Sequence, residues 1–307
     1  MNKKFKLSII IVNYNTKDIL RECLTSVFDK IKNVDFEVIV SDNGSTDGSI
    51  EMIKKEFPRV RLLENGKNLG FAAANNRALP LAKGEYVFYL NPDTVILDEN
   101  VAKLIEFMDS HPNAGACGPL VLNSDGTMQR QCKRGWPTFK NSFFYYSRFW
   151  KLFPKSLKWK KISGGYFCLD KPDDQVCEVD QLSGAAMIFR RDILEKTKGM
   201  DESYVMYWDD TDLCFRVQSF GSKIYYVPQA EITHYGGAGG AQLHAWRNLW
   251  YFHKGACVFY RRYLAKQSNI FANALFYAGI WVAFSLKFAC NLIAKEKTIG
   301  SKKPVAK

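Results

Sequence analysis

The 307 residues are 47% hydrophobic and 24% charged, enough apolar material for one large core or a core with an appendage, and too much for a disordered chain. A formal net charge of +12 points to an anionic partner: nucleic acid, anionic lipid headgroups or a phosphorylated substrate. The cysteines, Cys23, Cys117, Cys132, Cys168, Cys177, Cys214, Cys257 and Cys290, form no CxxC pair and have no histidine at zinc-finger spacing, so they read as reduced, mostly buried thiols of a cytosolic protein.

In chain order, MNKKFKLSIIIVNYN begins with basic residues, but its apolar run ends at Asn13 and no small-residue cleavage site follows. It reads as a first strand, not a signal peptide. Leu7 to Asn15 is a β-branched run closing on turn formers, the pattern of a strand buried on both faces of a parallel sheet. TKDILRECLTSVFDKI puts Ile19, Leu20, Cys23, Leu24, Val27, Phe28 and Ile31 on one helical stripe, with Thr16 as N-cap. FEVIVSDN is a second strand, GSIEMIKKEF a second helix, RVRLLEN a third strand, GFAAANNRALPLA a third helix and GEYVFYLNPD a fourth strand. This alternation predicts a doubly wound α/β domain with right-handed crossovers.

Ligands of such sheets sit beyond the carboxyl ends of the strands. Three polar loops, around Asn13 to Asn15, Asp42 to Asp47 and Asn91 to Asp93, follow strand ends and therefore converge. Taken alone, SDNGSTDGS (Ser41 to Ser49) has the composition of an ordinary turn. Sharing one edge with two other Asn/Asp clusters favours a binding role.

From Arg130 to Lys161 the chain carries ten Lys or Arg, no acid, and many Phe, Tyr and Trp. Nucleic-acid grooves and membrane interfaces both use that mixture, and a solvated basic insertion has it too. A strand, a helix, a loop, a helix beginning near Asp209 and the strand KIYYVPQAEI follow. Between Ile270 and Lys287 lies an uncharged stretch of about 18 residues, marginal for a bilayer span. Asn273, Lys287 and Asn291 weaken the span. Positive charge flanks it on both sides, Arg261, Arg262 and Lys266 before and Lys295, Lys297, Lys302, Lys303 and Lys307 after, so topology is open. The segment reads as a membrane-embedded or interface-lying helix pair; the competing reading is a helix packed on the protein's own core or on a dimer partner.

Asp93 closes YLNPD at a strand end, where one carboxylate can reach a Mg²⁺ or Mn²⁺ ion held mainly by diphosphate oxygens. In YWDDTDLCFR, Asp209, Asp210 and Asp212 crowd a helix start. The helix dipole favours acids there and Asp212 can pair with Arg216, yet crowding also raises the proton affinity of at least one carboxylate, as a general base needs. His234 precedes a Gly-rich segment and admits both a structural and a metal-ligating reading.

Together the stretches SIIIVNYNT, VIVSDNGSTDGS, NLGFAAANNRA, YVFYLNPDT, LSGAAMIFRR, MDESYVMYWDDTDLCFR and ITHYGG resemble family 2 glycosyltransferases of the GT-A fold, in particular rhamnosyltransferase-like members, over roughly residues 6 to 240. The resemblance implies a Rossmann-like mixed sheet flanked by helices over residues 1–240, into which the basic aromatic segment reads as an insertion at about 130–163, while the apolar C-terminal stretch reads as a helical membrane-associating extension over 241–307. It assigns Asp42 to the base or ribose of a nucleotide sugar, with Asn13, Asn15 and Asn43 nearby and Asn68, Asn75 and Asn76 bordering the pocket. Asn91 and Asp93 stand where the family carries D-x-D, and His234 matches its post-strand histidine, so Asp93 and His234 would hold Mg²⁺ or Mn²⁺. Asp210 would be the base and Asp209 would orient the acceptor, while Asp212 fits a structural ion pair. Gly239 stands where a serine is common.

The implied reaction is a single displacement with inversion, moving L-rhamnose from dTDP-L-rhamnose, or a sugar from a UDP-sugar, onto a polyprenyl-diphosphate-linked or glycan acceptor at the cytoplasmic membrane face. Two rival readings are a nucleic-acid-binding protein, which leaves the acidic triplet unexplained, and an inactive GT-A scaffold, conceivable because Asn91 lacks the first carboxylate.

Overall fold

The structure, a computed structural model, describes residues 5–147, 156–236 and 245–293. Gly239 and the lysines from Lys295 onward lie outside them, as does the stretch 148–155 of the basic aromatic segment. Strand β1 (Leu7–Asn13) is buried at every position, as a β-branched run covered on both faces requires. Helix α1 (Lys17–Lys30) buries Leu20, Cys23, Leu24 and Val27. Next come β2 (Phe36–Asp42), α2 (Ser49–Glu56), β3 (Val60–Glu64), α3 (Phe71–Ala78) and β4 (Tyr86–Leu90) in the expected alternation. They are followed by β5 (Thr94–Ile96), α4 (Val101–Ser110), β6 (Ala114–Leu122), β7 (Lys133–Arg134), α5 (Phe139–Ser147) and α6 (Leu157–Ser163). The short strands β8 (Cys177–Glu178) and β9 (Gln181–Leu182) lead to β10 (Ala186–Arg190), α7 (Arg191–Thr197), α8 (Asp209–Ser219), β11 (Lys223–His234), α9 (Ala245–Phe259) and α10 (Ile270–Ile293).

The main sheet runs β3-β2-β1-β4-β10-β6-β11-β5, with β8 beside β11. Its first four strands are parallel, as the βαβ pattern predicts. β10 is antiparallel to both β4 and β6, which makes the sheet mixed. Because Ala186 pairs with Leu90, the residues just before β10 emerge at the carboxyl end of β4. Side chains alternate between two cores: Leu7, Ile9 and Ile11 face α1 and α4, while Ile10 and Ile39 face α3 and α8.

Two prolines sit in central strands, where each removes a ladder donor. Both fall in one irregularity: β11 pairs with β6 at Tyr226–Gly118 and again at Glu231–Leu120. Residues 227–230, including Pro228, therefore face Pro119 alone. Beyond this bulge β11 continues antiparallel to β5, setting His234 opposite Thr94.

Thr16 does not cap α1 through its side chain; its hydroxyl donates to Asn13 Oδ1 at 2.6 Å. The cap comes from Asp47, whose Oδ2 accepts the Lys17 N–H at 2.8 Å while Oδ1 accepts the Ser49 N–H and hydroxyl at 3.0 and 2.6 Å. One carboxylate thus serves the N-termini of α1 and α2. Partial burial pushes the Asp47 carboxyl up, but these donors outweigh it and hold it below the usual range.

The C-terminal helices are tied to the sheet domain. Tyr204 and Trp208 share an apolar cluster with Phe259, Tyr260, Phe276 and Ile280, and Tyr263 donates to the fully buried Asp212 at 2.7 Å. The uncharged stretch forms one continuous helix rather than a pair. Ile270–Leu292 is long and apolar enough, by length and composition, to cross a membrane. Its outer face is bare, with Phe271 83% and Ile270 77% exposed.

Replacing Asp47 with alanine uncaps two helices and should lower the unfolding free energy by about 1 kcal/mol for each, while Asp47→Asn, with one acceptor oxygen, should lose roughly half as much. Urea titration of the two variants measures both values.

Candidate active site

The polar loops at the carboxyl ends of β1 and β2 are locked to each other. Asp42 has no exposed surface. Its Oδ1 accepts the N–H groups of Gly44 and Ser45 at 3.0 and 2.8 Å, and its Oδ2 accepts Asn13 Nδ2 and the Ser45 hydroxyl, both at 2.7 Å. The carboxylate acts on this loop by shaping it. Gly44 is required there, since its φ is +77° and a Cβ would lie 2.9 Å from the Lys67 nitrogen. Asn15, at φ 52°, accepts the Thr46 N–H at 2.8 Å. Asn43 reaches Asn68 Oδ1 at 3.4 Å and the Gly70 carbonyl at 3.2 Å, closing the loop against the start of α3. Asn75 and Asn76 turn elsewhere: Asn75 donates to the Phe71 carbonyl at 3.0 Å, and Asn76 clamps Met200 through its N–H and its carbonyl, both at 2.8 Å.

At the next strand end, Asp93 Oδ1 lies 3.2 Å from His234 Nε2, and Asn91 Nδ2 lies 3.4 Å from the same nitrogen. The side-chain oxygen of Asn91 is buried with no hydrogen-bond partner. A carboxylate oxygen and an imidazole nitrogen 3.2 Å apart, beside an amide whose oxygen has no partner, are donor types that could hold a small divalent cation. Among the described residues no three His, Cys, Asp or Glu side chains converge to hold a metal by themselves, so an ion here would draw further ligands from a bound anion.

The acidic triplet opens α8. The two residues before it, Tyr207 and Trp208, have φ of 65° and 71°, strained values for bulky side chains that mark functional sites. Gly255 accommodates the turn, because a Cβ there would come within 2.6 Å of the Trp208 ring. Asp210 is paired with Arg134 at 2.6 Å and accepts the Gly184 N–H at 3.1 Å. Burial opposes the Arg134 charge, but Asp210 outweighs it and keeps the guanidinium firmly protonated. Asp209 is 6% exposed. Burial pushes its carboxyl up to about 7, and the neighbouring charges of Asp210 and Asp212 add to the shift. The proton affinity expected from crowding therefore falls on Asp209. Asp212 has the expected Arg216 partner at 2.7 Å.

The acid pair and the Asn91–Asp93–His234 group are neighbours. Gly184 donates to Asp210, and the next residue, Ala185, accepts the Asn91 N–H at 2.9 Å. A shallow hollow of about 370 Å³ between α1 and β5, lined by Arg21, Glu22, Asp29 and Lys30 among others, includes none of these residues.

Residues 8–168, just over half the chain, match Glycosyl transferase family 2. The chain belongs to this family. Among relatives, an N-acetylglucosaminyl-diphospho-decaprenol L-rhamnosyltransferase of Mycobacterium tuberculosis is 30% identical over 64% of this chain and 66% of its own length. The rhamnosyltransferase WbbL of Escherichia coli is 24% identical over 74% of this chain and 82% of its own. The fold is that of GT-A glycosyltransferases: a mannosyltransferase from Pyrobaculum calidifontis, solved with GDP-mannose and Mn²⁺, superposes with a TM-score of 0.55 at 16% identity, covering 96% of this chain and 89% of that one.

Several residues in and around the candidate site carry no local signal. Arg134 and Lys133 read as part of a basic surface run, yet Lys133 is fully buried on the carbonyls of Lys171 and Pro172 at 2.8 and 2.7 Å. Arg134 meets an acid 76 residues away, and Gln129 meets His234 across 105.

The raised Asp209 carboxyl has a stability consequence. Its folded value lies above the unfolded one, so the folded protein holds an extra proton between about pH 4 and 7 and loses stability as pH rises through that window. Asp209→Asn removes this dependence. Chemical denaturation should show the variant gaining on the parent from pH 4 to 7 and levelling above it, with a final gap on the order of 4 kcal/mol.

Proposed function

We propose that this chain is an inverting glycosyltransferase that moves a hexose, L-rhamnose from dTDP-L-rhamnose, onto a polyprenyl-diphosphate-linked acceptor at the cytoplasmic face of a membrane. The observation that carries the reading is the junction through Gly184 and Ala185, which joins a buried acid pair to an Asp–His–Asn group at one rim of the sheet. The rhamnosyl donor and lipid-linked acceptor rest on the activities named for the mycobacterial and E. coli relatives.

In this reading the nucleotide lies over the loops of Asn13, Asn15, Asp42 and Asn43, with Asn68 at its border. Asp42 serves it by holding the Gly44 and Ser45 amides in place. Asp93, His234 and the free oxygen of Asn91 would hold Mg²⁺ or Mn²⁺. A bound divalent ion supplies neutralisation of the charge that develops on the departing diphosphate.

Asp210 is the base. It is the more exposed of the two acids, and Arg134 and the Gly184 N–H fix its carboxylate in place. It takes the proton of an acceptor hydroxyl as that oxygen attacks the anomeric carbon, so the sugar inverts and no covalent enzyme intermediate forms. Asp209, its more deeply buried neighbour, would orient the acceptor. The bare face of α10 suits a lipid-linked acceptor, which is met only at a membrane surface.

Asp210→Asn should lower the transfer rate by roughly 10³-fold while dTDP-sugar affinity stays within error. Calorimetric binding alongside a transfer assay with dTDP-, UDP- and GDP-sugars tests this, and parallel loss of binding and transfer would refute the role. Substituting Phe271, Leu275 and Leu286 with glutamate removes apolar surface that faces outward, so the protein should move from the membrane pellet to the soluble fraction. Unchanged sedimentation would refute the membrane reading.

A further inference from the structure

His234 is gripped at two points by one side chain. Gln129 follows the turn after β6, where its N–H bonds the Val121 carbonyl at 2.8 Å, and the residue is 8% exposed. Its Nε2 donates to the His234 carbonyl at 2.7 Å, and its Oε1 lies 3.0 Å from His234 Nδ1. A backbone carbonyl only accepts, so the amide is anchored with its nitrogen on the main chain and its oxygen on the ring. An amide oxygen likewise only accepts, so Nδ1 must carry the hydrogen. In the neutral ring Nε2 then has no hydrogen and presents its electron pair.

That electron pair points at Asp93 Oδ1, 3.2 Å away, and the Asn91 amide nitrogen sits 3.4 Å from it. Two acceptors facing each other repel unless a cation or a proton lies between them. A ring free to choose would turn its hydrogen onto Nε2 and donate to Asp93, which would close the nitrogen to a metal.

We propose that Gln129 is a positioning residue that holds His234 as the Nδ1–H tautomer, so that Nε2 stands ready as a metal ligand beside Asp93. The proposal rests on the reading of this rim as the cation site of a glycosyltransferase. Outer hydrogen bonds of this kind commonly set metal affinity by 10- to 100-fold.

The test uses the full chain in detergent, metal-free, with ¹⁵N-labelled histidine at about pH 8, where an ordinary imidazole is neutral. Two-bond ¹H–¹⁵N spectra report which ring nitrogen is protonated, and His234→Ala identifies the signal among the four histidines. The parent should show Nδ1–H. Gln129→Met, which keeps the shape but not the acceptor, should switch His234 to Nε2–H, and Gln129→Glu should restore Nδ1–H. In parallel, Mn²⁺ titration by EPR with dTDP present should weaken by roughly 10-fold or more in Gln129→Met and recover in Gln129→Glu. Thermal melts confirm that each variant folds. An unchanged tautomer in a folded Gln129→Met would overturn the proposal, as would a switched tautomer with unchanged Mn²⁺ affinity. Mn²⁺ affinity indifferent to both His234→Ala and Asp93→Ala would instead overturn the cation-site reading, whatever the spectra show.

Discussion

A carboxylate sealed from water and from any cation must find all its partners among neutral donors, because burying it uncompensated would cost several kcal/mol. Asp42 is in that position, with no ion pair among the described residues, and the rim is organised around it. Gly44 and Ser45 bend to deliver their amides, and Asn13 crosses from β1 to deliver a third donor. Asn13 in turn takes the Thr16 hydroxyl, which draws in the start of α1. Two successive strand ends are therefore rigid before any ligand arrives, which is the condition for a site that spends little binding energy on reorganisation.

Charge is handled differently on the other side of the rim. Arg134 balances Asp210, and Arg216, with Tyr263 from beyond α9, satisfies Asp212. Asp209 alone in the triplet has no cation at its side chain among the described salt bridges, and burial, with the charges of Asp210 and Asp212 beside it, raises its proton affinity. Part of the basic excess of this chain is thus internal. Lys133 and Arg134 are buried, and Arg130 is paired with Asp173, so the aromatic, basic segment begins as structure and not as a surface patch.

The strands and helices up to β4 were legible because their apolar periods are local, and the convergence of the polar loops followed from the parallel sheet alone. The antiparallel entry of β10 was not, since nothing within five residues announces which way a strand runs. Asn75 and Asn76 illustrate a second limit. The Asn-rich segment reads as one polar patch, but neighbours on a helix diverge by about 100°, and these two amides reach different partners. Gln129 and Arg134 illustrate a third, because a polar residue whose partner lies many tens of positions away has no pattern around it. Trp208 is a fourth: strain shows only in dihedral angles.

The proline-bearing bulge of β11 separates one strand into two halves with independent phase. Upstream, Ile224 and Tyr226 obey the alternation set by the first half of β6; downstream, a resumed ladder to Leu120–Leu122 of β6 and the short ladder to β5 together decide which face each side chain takes. Since the pleat has a period of two, dropping or adding one residue after Pro228 would rotate the imidazole to the opposite surface without disturbing a single upstream contact. The geometry of this rim is therefore written in a residue count as much as in the identity of the histidine.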